Sequence, residues 1–402
     1  MDDILNQGGD REPGPWRRRL AMIAALGVVV AGGAVYLSHS RQHTSAAPRQ
    51  TQVTASPAPA PGYALSLPRE PNGIAGQTLA WDRALRLPVA GEQPVWFSPA
   101  SGGSEPIGGL PANRSGYQFI RVDGGWAVQA SPALSASCGG CAGPSAPPVW
   151  FLADGARSVT RVGTANLVAP ASTADAVWLT SYPQGANMTT AAGTAREADP
   201  RGALSRPVRL PSGYAIVQGT DRGLLLAPVG QVPGTAAADK LWDPSAPRAS
   251  QAFDGVLAAS PSEIAWTSRC TTMCSVHTLD LATGKHTVVA LPRGSSAAGG
   301  AFSPDGGFLA LQVSFGNTGD GGELAVQLEV AATTSGRLTA MPGTWASSDA
   351  LVSFGWPAAG DSLVAEFSFM TKTQLASWHP GDSHPAVTVI KPGPNQASLM
   401  LG

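Results

Sequence analysis

From about residue 63 onward, apolar residues fall in short runs rich in Val, Ile, Leu, Trp and Phe, and turn residues separate the runs. The runs at 94–97, 117–122, 148–152, 176–182, 214–218 and 308–315 have the length and composition of strands. No long segment of this region carries the 3.6-residue apolar period of an amphipathic helix. Five Asp-Gly pairs, beginning at Asp123, Asp154, Asp254, Asp305 and Asp320, punctuate it. Both residue types tolerate positive φ, so the pairs predict tight hairpins between strands.

The beginning of the chain follows another pattern. Residues 20–37 read LAMIAALGVVVAGGAVYL, without one charge. At ~1.5 Å per residue a helix of that length extends about 27 Å, close to the hydrocarbon thickness of a bilayer. Arg17, Arg18 and Arg19 abut its N-terminal end, and basic residues beside a span mark the cytoplasmic side. The expected order is therefore a cytoplasmic tail (1–19), a transmembrane helix (20–37), a Pro/Ala/Ser-rich linker (38–62) and an extracytoplasmic domain (63–402). A cleaved signal peptide is the rival, but the apolar run is longer than the usual h-region and no clean A-x-A site follows it. No cysteine follows closely, which disfavours a lipoprotein. Gly27 and Ala31 form a small-xxx-small pair of the sort that lets helices pack closely, a spacing that also arises by chance in a Gly/Ala-rich chain. The linker holds Pro48, Pro57, Pro59 and Pro61 among Ala, Ser and Thr, the composition of a solvated, partly polyproline-II spacer.

Within the outer domain two elements recur. FSPDGGFLA at 302–310 has a degenerate copy, GWPAAGDSLV, at 355–364 and a weaker one, SPSEIAW, at 260–266. HTLDLATGK at 277–285 is echoed at 328–337 and more loosely at 241–248. Corresponding positions lie 37 to 54 residues apart, the size of a four-stranded propeller blade.

On these residues the chain resembles the TolB-like and WD-repeat β-propeller families. In those families each blade carries such a turn after its first strand and a Thr-Gly hairpin later on. The resemblance is good over 241–380, faint over 80–240 and absent before 63, and the regular Gly-His and Trp-Asp pairs of WD repeats are missing. It implies an all-β fold, a β-propeller of about seven blades with six or eight also compatible, preceded by one transmembrane helix and a Pro-rich linker.

Composition narrows the partners. There are 26 basic against 27 acidic residues, for a net charge of −1, so nothing draws the protein onto nucleic acid. The 48 Gly and 35 Pro fit a chain with many turns. Four lysines against 22 arginines, with many alanines, are the bias of a GC-rich bacterial genome and carry no mechanism.

The chemistry-bearing residues form no complete motif. Cys138 and Cys141 are spaced C-x2-C, and Cys270 and Cys274 C-x3-C. In an oxidising compartment these read as two local disulfides. Four thiols at that spacing also satisfy a zinc site, and C-x2-C a thiol-disulfide exchanger, although the latter lacks its βαβ context. No G-x-S-x-G pentapeptide occurs, which removes serine-peptidase chemistry of the α/β-hydrolase type. Ser303-Pro304-Asp305-Gly306-Gly307 matches the S-x-D-x-G turn of sialidase-like propellers, and the same residues suffice to build a hairpin. Most Asp residues sit beside Gly, Pro or Ser and serve turns, whereas Glu263, Glu329 and Glu366 lie in or next to apolar strands. Glu263, Glu366, His379 and His384 are the candidates for a pocket. The loop 379–384 has two imidazoles and a carboxylate for a metal, and 317–323 has oxygen ligands without the full calcium-loop pattern; both read first as solvated turns. No phosphate-binding or dinucleotide fingerprint appears, so no cofactor is expected.

Anchor, spacer, repeat fold and absent catalytic motif together point to a non-catalytic binding or scaffolding module. Its propeller face would hold a protein, peptide or glycan, with specificity in loops such as 131–148 and 184–207. An exported propeller hydrolase or lyase acting on a glycan or lipid head group is the alternative.

Overall fold

The computed structural model describes residues 73–74, 81–113, 116–131, 146–229, 238–246, 250–267, 274–315, 325–347, 351–357, 361–368 and 373–390. Residues 1–72, with the expected span and linker, lie outside them, as do Cys138, Cys141, Cys270 and the loop 317–323. Among the described residues no helix is long and apolar enough to cross a membrane.

The described residues form seven antiparallel sheets arranged as the blades of a propeller. A short first strand, β1 (Gly73–Ile74), stands apart from its sequence neighbours. Blade 1 holds β2 (Leu87–Val89), β3 (Val95–Phe97) and β4 (Ser104–Pro106). Blade 2 holds β5 (Tyr117–Val122), β6 (Gly125–Ala130), β7 (Pro148–Ala153) and β8 (Thr160–Thr164). Blade 3 follows with β9 (Leu167–Pro170), β10 (Val177–Ser181), β11 (Thr194–Ala198) and β12 (Val208–Arg209). Blade 4 comprises β13 (Tyr214–Thr220), β14 (Gly223–Pro228), β15 (Asp239–Trp242) and β16 (Ser250–Phe253). Blade 5 comprises β17 (Val256–Ala259), β18 (Glu263–Thr267), β19 (Ser275–Asp280) and β20 (His286–Ala290). Blade 6 contains β21 (Ser295–Phe302), β22 (Phe308–Phe315), β23 (Ala325–Ala332) and β24 (Leu338–Ala340), and β25 (Thr344–Ser347) also pairs with β23. Here β1 adds itself to β25, tying the start of the domain to the sixth sheet. Blade 7 closes the series with β26 (Leu351–Gly355), β27 (Leu363–Ser368), β28 (Thr373–Trp378) and β29 (Ala386–Ile390).

Alternation along the strands decides how blades stack, because successive side chains leave opposite faces of a sheet. On β22, Leu309, Leu311, Val313 and Phe315 pack toward Ala265, Val276 and Val289 of blade 5, while Ala310 joins Leu363, Ala365 and Phe367 of blade 7. On β27 the intervening Val364 turns the other way and meets Trp81 and Leu87 beside blade 1. The remaining apolar clusters fill the junctions between blades 1 and 2, 2 and 3, 3 and 4, and 4 and 5. Seven junctions for seven blades make a closed ring, and each fully buried Leu, Val or Phe contributes about 1.5–3 kcal/mol to it.

The recurring sequence elements occupy equivalent places. Residues 260–266, 302–310 and 355–364 span the turn between the first and second strands of blades 5, 6 and 7. Residues 241–248, 277–285 and 328–337 span the turn between third and fourth strands of blades 4, 5 and 6. Hydrogen bonds repeat with them: Gly284 N–H donates to Asp280 O as Gly336 N–H does to Ala332 O, both at 2.8 Å. A register shift interrupts the first strand of blades 4, 5 and 6, at Ile216/Gln218, Val256/Ala258 and Ala297/Gly299. Such bulges bend and twist a strand, here the first strand of three successive blades.

Two expectations need correction. Asp254-Gly255 is a connection between β16 and β17, hence between blades, not a hairpin. Residues 184–207 are not a loop throughout, since 194–198 pair with β10 as the third strand of blade 3. Its sequence, TAREA, offers little apolar alternation to reveal it. Of the described Asp-Gly pairs only the glycine takes positive φ.

Gly124 shows why. Its φ is +74°, and a Cβ added there would overlap Oδ1 of Asp175, which reaches over from the turn between the first two strands of blade 3. Asp175 itself sits at φ 63° and donates its N–H to Asp123 O at 3.1 Å. We expect Gly124→Ala to lower unfolding free energy by about 2–4 kcal/mol, combining left-handed strain with displacement of the neighbouring blade. Gly155→Ala, where φ is +71° but nothing lies within 4 Å of the new Cβ, carries the strain alone, about 1 kcal/mol. Urea denaturation of the two variants separates the contributions.

Candidate binding face

In each four-stranded blade the first turn and the third turn lie at the same end of the meander, and these ends touch from blade to blade. Asp221 N–H donates to Pro261 O, Arg222 to Ala282 O and Lys285 Nζ to Thr334 O. One face of the disc is thus a ring of interlocked turns.

On that face a small cleft opens where blades 7, 1 and 2 meet, lined by Arg86, Arg121, Trp126, Asp154, Trp356 and Val364 among others. Arg121 leaves β5 one residue before the Asp123-Gly124 turn. Its guanidinium meets both oxygens of Asp154, at 2.6 and 2.8 Å, and lies 5.1 Å from the centroid of the Trp126 ring. The fork-to-fork bond and the indole face hold the guanidinium in one plane. Trp356 is fixed from below, donating its indole N–H to Ala301 O at 3.0 Å and stacking on Phe308. Arg86, just ahead of β2, is exposed. With Arg121 neutralised by Asp154, Arg86 gives the cleft a net positive character beside aromatic walls. That chemistry suits an anionic or planar group on a ligand.

Across the same face, between blades 5 and 6, three carboxylates approach one another. Asp280 accepts from the N–H groups of Ala282 and Thr283, and Asp305 from Ser303 Oγ and the Gly307 N–H. These bonds hold both carboxyls below their ordinary range. Ser303-x-Asp305-x-Gly307 is therefore hairpin architecture. Glu263 begins β18 opposite Asp280 and is buried, with Oε2 lacking a hydrogen-bond partner among the described residues. Burial first, then the charges of Asp280 and Asp305, push its carboxyl up to about 7.

The other pocket candidates lie elsewhere. Glu366, on β27, is buried on the side that faces blade 1, with Ser353 Oγ 3.4 Å from its Oε2. His379 and His384 are exposed in the turn between β28 and β29, where Asp382 N–H bonds His379 O and Trp378 donates its indole N–H to Asp382 O. The structure does not bring Glu263, Glu366 and these histidines into one pocket. Cys274 is disulfide-bonded. Among the described residues no group of three or more His, Cys, Asp or Glu is placed to hold a metal. Sequence reasoning missed Arg86, Arg121 and Trp126; a charged residue inside the otherwise apolar run 117–122 was the available signal.

Glu329 is the most isolated ionisable group. It is wholly buried on the blade 5 side of β23, neither carboxyl oxygen has a hydrogen-bond partner among the described residues, and burial pushes the group up to about 7.

No family model matches the chain, and no curated protein does. Among solved structures, a Synechocystis apocarotenoid oxygenase mutant is similar over 82% of this chain and 95% of its own, at 13% identity and a TM-score of 0.45. A lignostilbene dioxygenase of Pseudomonas brassicacearum is similar over 84% of this chain and 100% of its own, at 9% identity and 0.36. A prolyl endopeptidase is similar over 80% of this chain and 43% of its own, at 13% and 0.34. At these values the likenesses carry no argument about activity.

The buried carboxyl yields a pH prediction. Its folded pKa, about 7, exceeds that of the unfolded chain, so the fold retains a proton that the unfolded chain loses above about pH 4.5. Its contribution is most favourable below pH 4.5 and is lost as pH rises to about 7. Glu329→Gln should match the parent in stability at pH 4.5 and exceed it by about 3 kcal/mol at pH 8, checked by denaturation at both values.

Proposed function

We propose that the chain is a single-pass, membrane-anchored, extracytoplasmic propeller that acts as a non-catalytic docking module. A protein, peptide or glycan ligand with an anionic or planar group is held in the cleft between blades 7, 1 and 2. The observation that carries this reading is the cleft itself: a fixed Arg121–Asp154 pair on Trp126, an exposed Arg86 and a second indole wall. Rigid planar groups at a junction of three blades can recognise a ligand with little ordering cost on the protein side. No nucleophile-base pair stands beside them. The uncharged run 20–37 with Arg17, Arg18 and Arg19 ahead of it supports the anchor and the orientation.

One observation favours the enzyme reading, an exported hydrolase or lyase on a glycan or lipid head group. A carboxyl held near 7, as Glu263 is, has the proton affinity a general acid needs at neutral pH.

A photo-crosslinking amino acid at Arg157, in the turn that carries the cleft residue Asp154, in the full-length chain in its native membranes should trap a discrete partner or glycan adduct. Arg86→Glu should reduce that yield by about tenfold or more, the worth of one charge-assisted contact. Adducts that persist undiminished in Arg86→Glu would move the ligand off the cleft. Glycan or lipid turnover that disappears in Glu263→Gln would replace docking with catalysis.

A further inference from the structure

Two histidines on the blade 4 side of blade 5 play no part in the docking cleft. His277 lies on β19 and His286 on β20, two register pairs apart, since His277 faces Val288 and Leu279 faces His286. Diagonal neighbours on one face of a sheet are within reach of long side chains. The imidazoles lie parallel, their planes differing by 2° and their centroids 5.0 Å apart, and Nδ1 of His277 is 2.9 Å from Nε2 of His286.

The surroundings fix this pair. Trp266, opposite His277 on β18, lies nearly parallel to both rings, at 5.4 and 5.6 Å between centroids. Phe253 of blade 4 meets Trp266 edge-on at 5.0 Å. The other nitrogen of His277, Nε2, is 3.2 Å from Ser275 Oγ. When that nitrogen donates to the hydroxyl, Nδ1 presents its lone pair toward His286, the arrangement in which an outer partner orients an imidazole ligand. His286 is exposed at the rim, so an ion and its waters can reach the pair.

We propose that His277 Nδ1 and His286 Nε2 form a two-nitrogen chelate for a divalent transition ion, with copper(II) the best fit and water completing the coordination. Two imidazole nitrogens bound at ~2.0–2.1 Å and about 90° apart lie about 2.9 Å from each other, the spacing found here. Tetragonal nitrogen-rich geometry belongs to copper(II) and nickel(II), and copper(II) binds such donors most tightly of the first-row divalent ions. On binding, the proton between the two rings leaves the shared edge and His286 carries it on Nδ1. No net charge is lost from the protein, and both rings turn so that their nitrogens point off the line between them and toward the ion, His286 the more freely because it is exposed.

The test is a copper(II) titration of the full-length, chelator-stripped protein in detergent, followed by calorimetry, Trp fluorescence and electron paramagnetic resonance. The expected result is one equivalent of ion with nitrogen hyperfine coupling and quenching that Trp266→Phe diminishes without loss of binding. His286→Ala, at an exposed position whose loss leaves the core intact, should weaken that equivalent by about tenfold or more. The double variant His379→Ala/His384→Ala should leave it unchanged. Binding that survives in His286→Ala with unaltered affinity, or that vanishes only in the His379/His384 variant, overturns the proposal, as does a titration showing no tight equivalent.

Discussion

Everything in this domain depends on the apolar junction between blade 7 and blade 1. A blade buries its two faces only against neighbours, so an open row of seven would leave two apolar faces in water. Trp81 and Leu87 meet Val364 and Leu375 there, from segments almost three hundred residues apart in sequence. Each of the other six junctions joins blades adjacent in the chain, where loop closure is short and inexpensive in entropy. The closing junction carries the long-range entropy for the whole ring, and β1 on the sixth sheet adds a second tie across the same gap.

Given a closed ring, polar groups within the junctions act against a background of tight apolar packing. Gln129 resolves this by donating to Ala165 O at 2.8 Å, across from blade 2 to the start of blade 3, and Gln218 bonds Gly219 O at 2.9 Å. These amides convert a buried polar atom into a specific link. Among the described residues Glu329 has no such partner, and its neighbour Gln327 leaves an oxygen unpaired. The contrast marks the junction of blades 5 and 6, where the buried Glu263 also leaves Oε2 without a partner among the described residues. At the junction of blades 7, 1 and 2, Arg121 is paired with Asp154 and the indoles of Trp96 and Trp356 donate to backbone carbonyls, while the buried indole N–H of Trp81 has no partner among the described residues.

The sequence disclosed the domain far better than its site. Strands 117–122 and 308–315 coincide with β5 and β22, because each is a continuous run of apolar and β-favouring residues bounded by turns. Blade spacing was legible from 260–266, 302–310 and 355–364 because one turn design recurs there. β11 escaped because an edge-proximal strand with one side in water has little to bury. The cleft escaped for a deeper reason. Arg86, Arg121 and Trp356 come from blades 1, 2 and 7, and only ring closure makes them neighbours. Glu263 was visible as a carboxylate in an apolar strand, but its shifted proton affinity arises first from burial between blades 5 and 6, then from Asp280 across the strand pair and Asp305 on the next blade.

Closure also explains why the cleft sits where it does. Blades 2 to 6 present a continuous ring of turns, in which Asp175 covers Gly124 and Glu263 covers Gly306, each with a carboxylate against a glycine that leaves it room. Such contacts fill the space between adjacent turns. At the closing junction the first blade begins with Arg86 and the last offers Trp356 and Pro357, side chains that do not interlock in this way. The seam that completes the fold therefore combines open volume with fixed polar groups. The docking function proposed above draws on the topology of closure as much as on the residues that line the cleft.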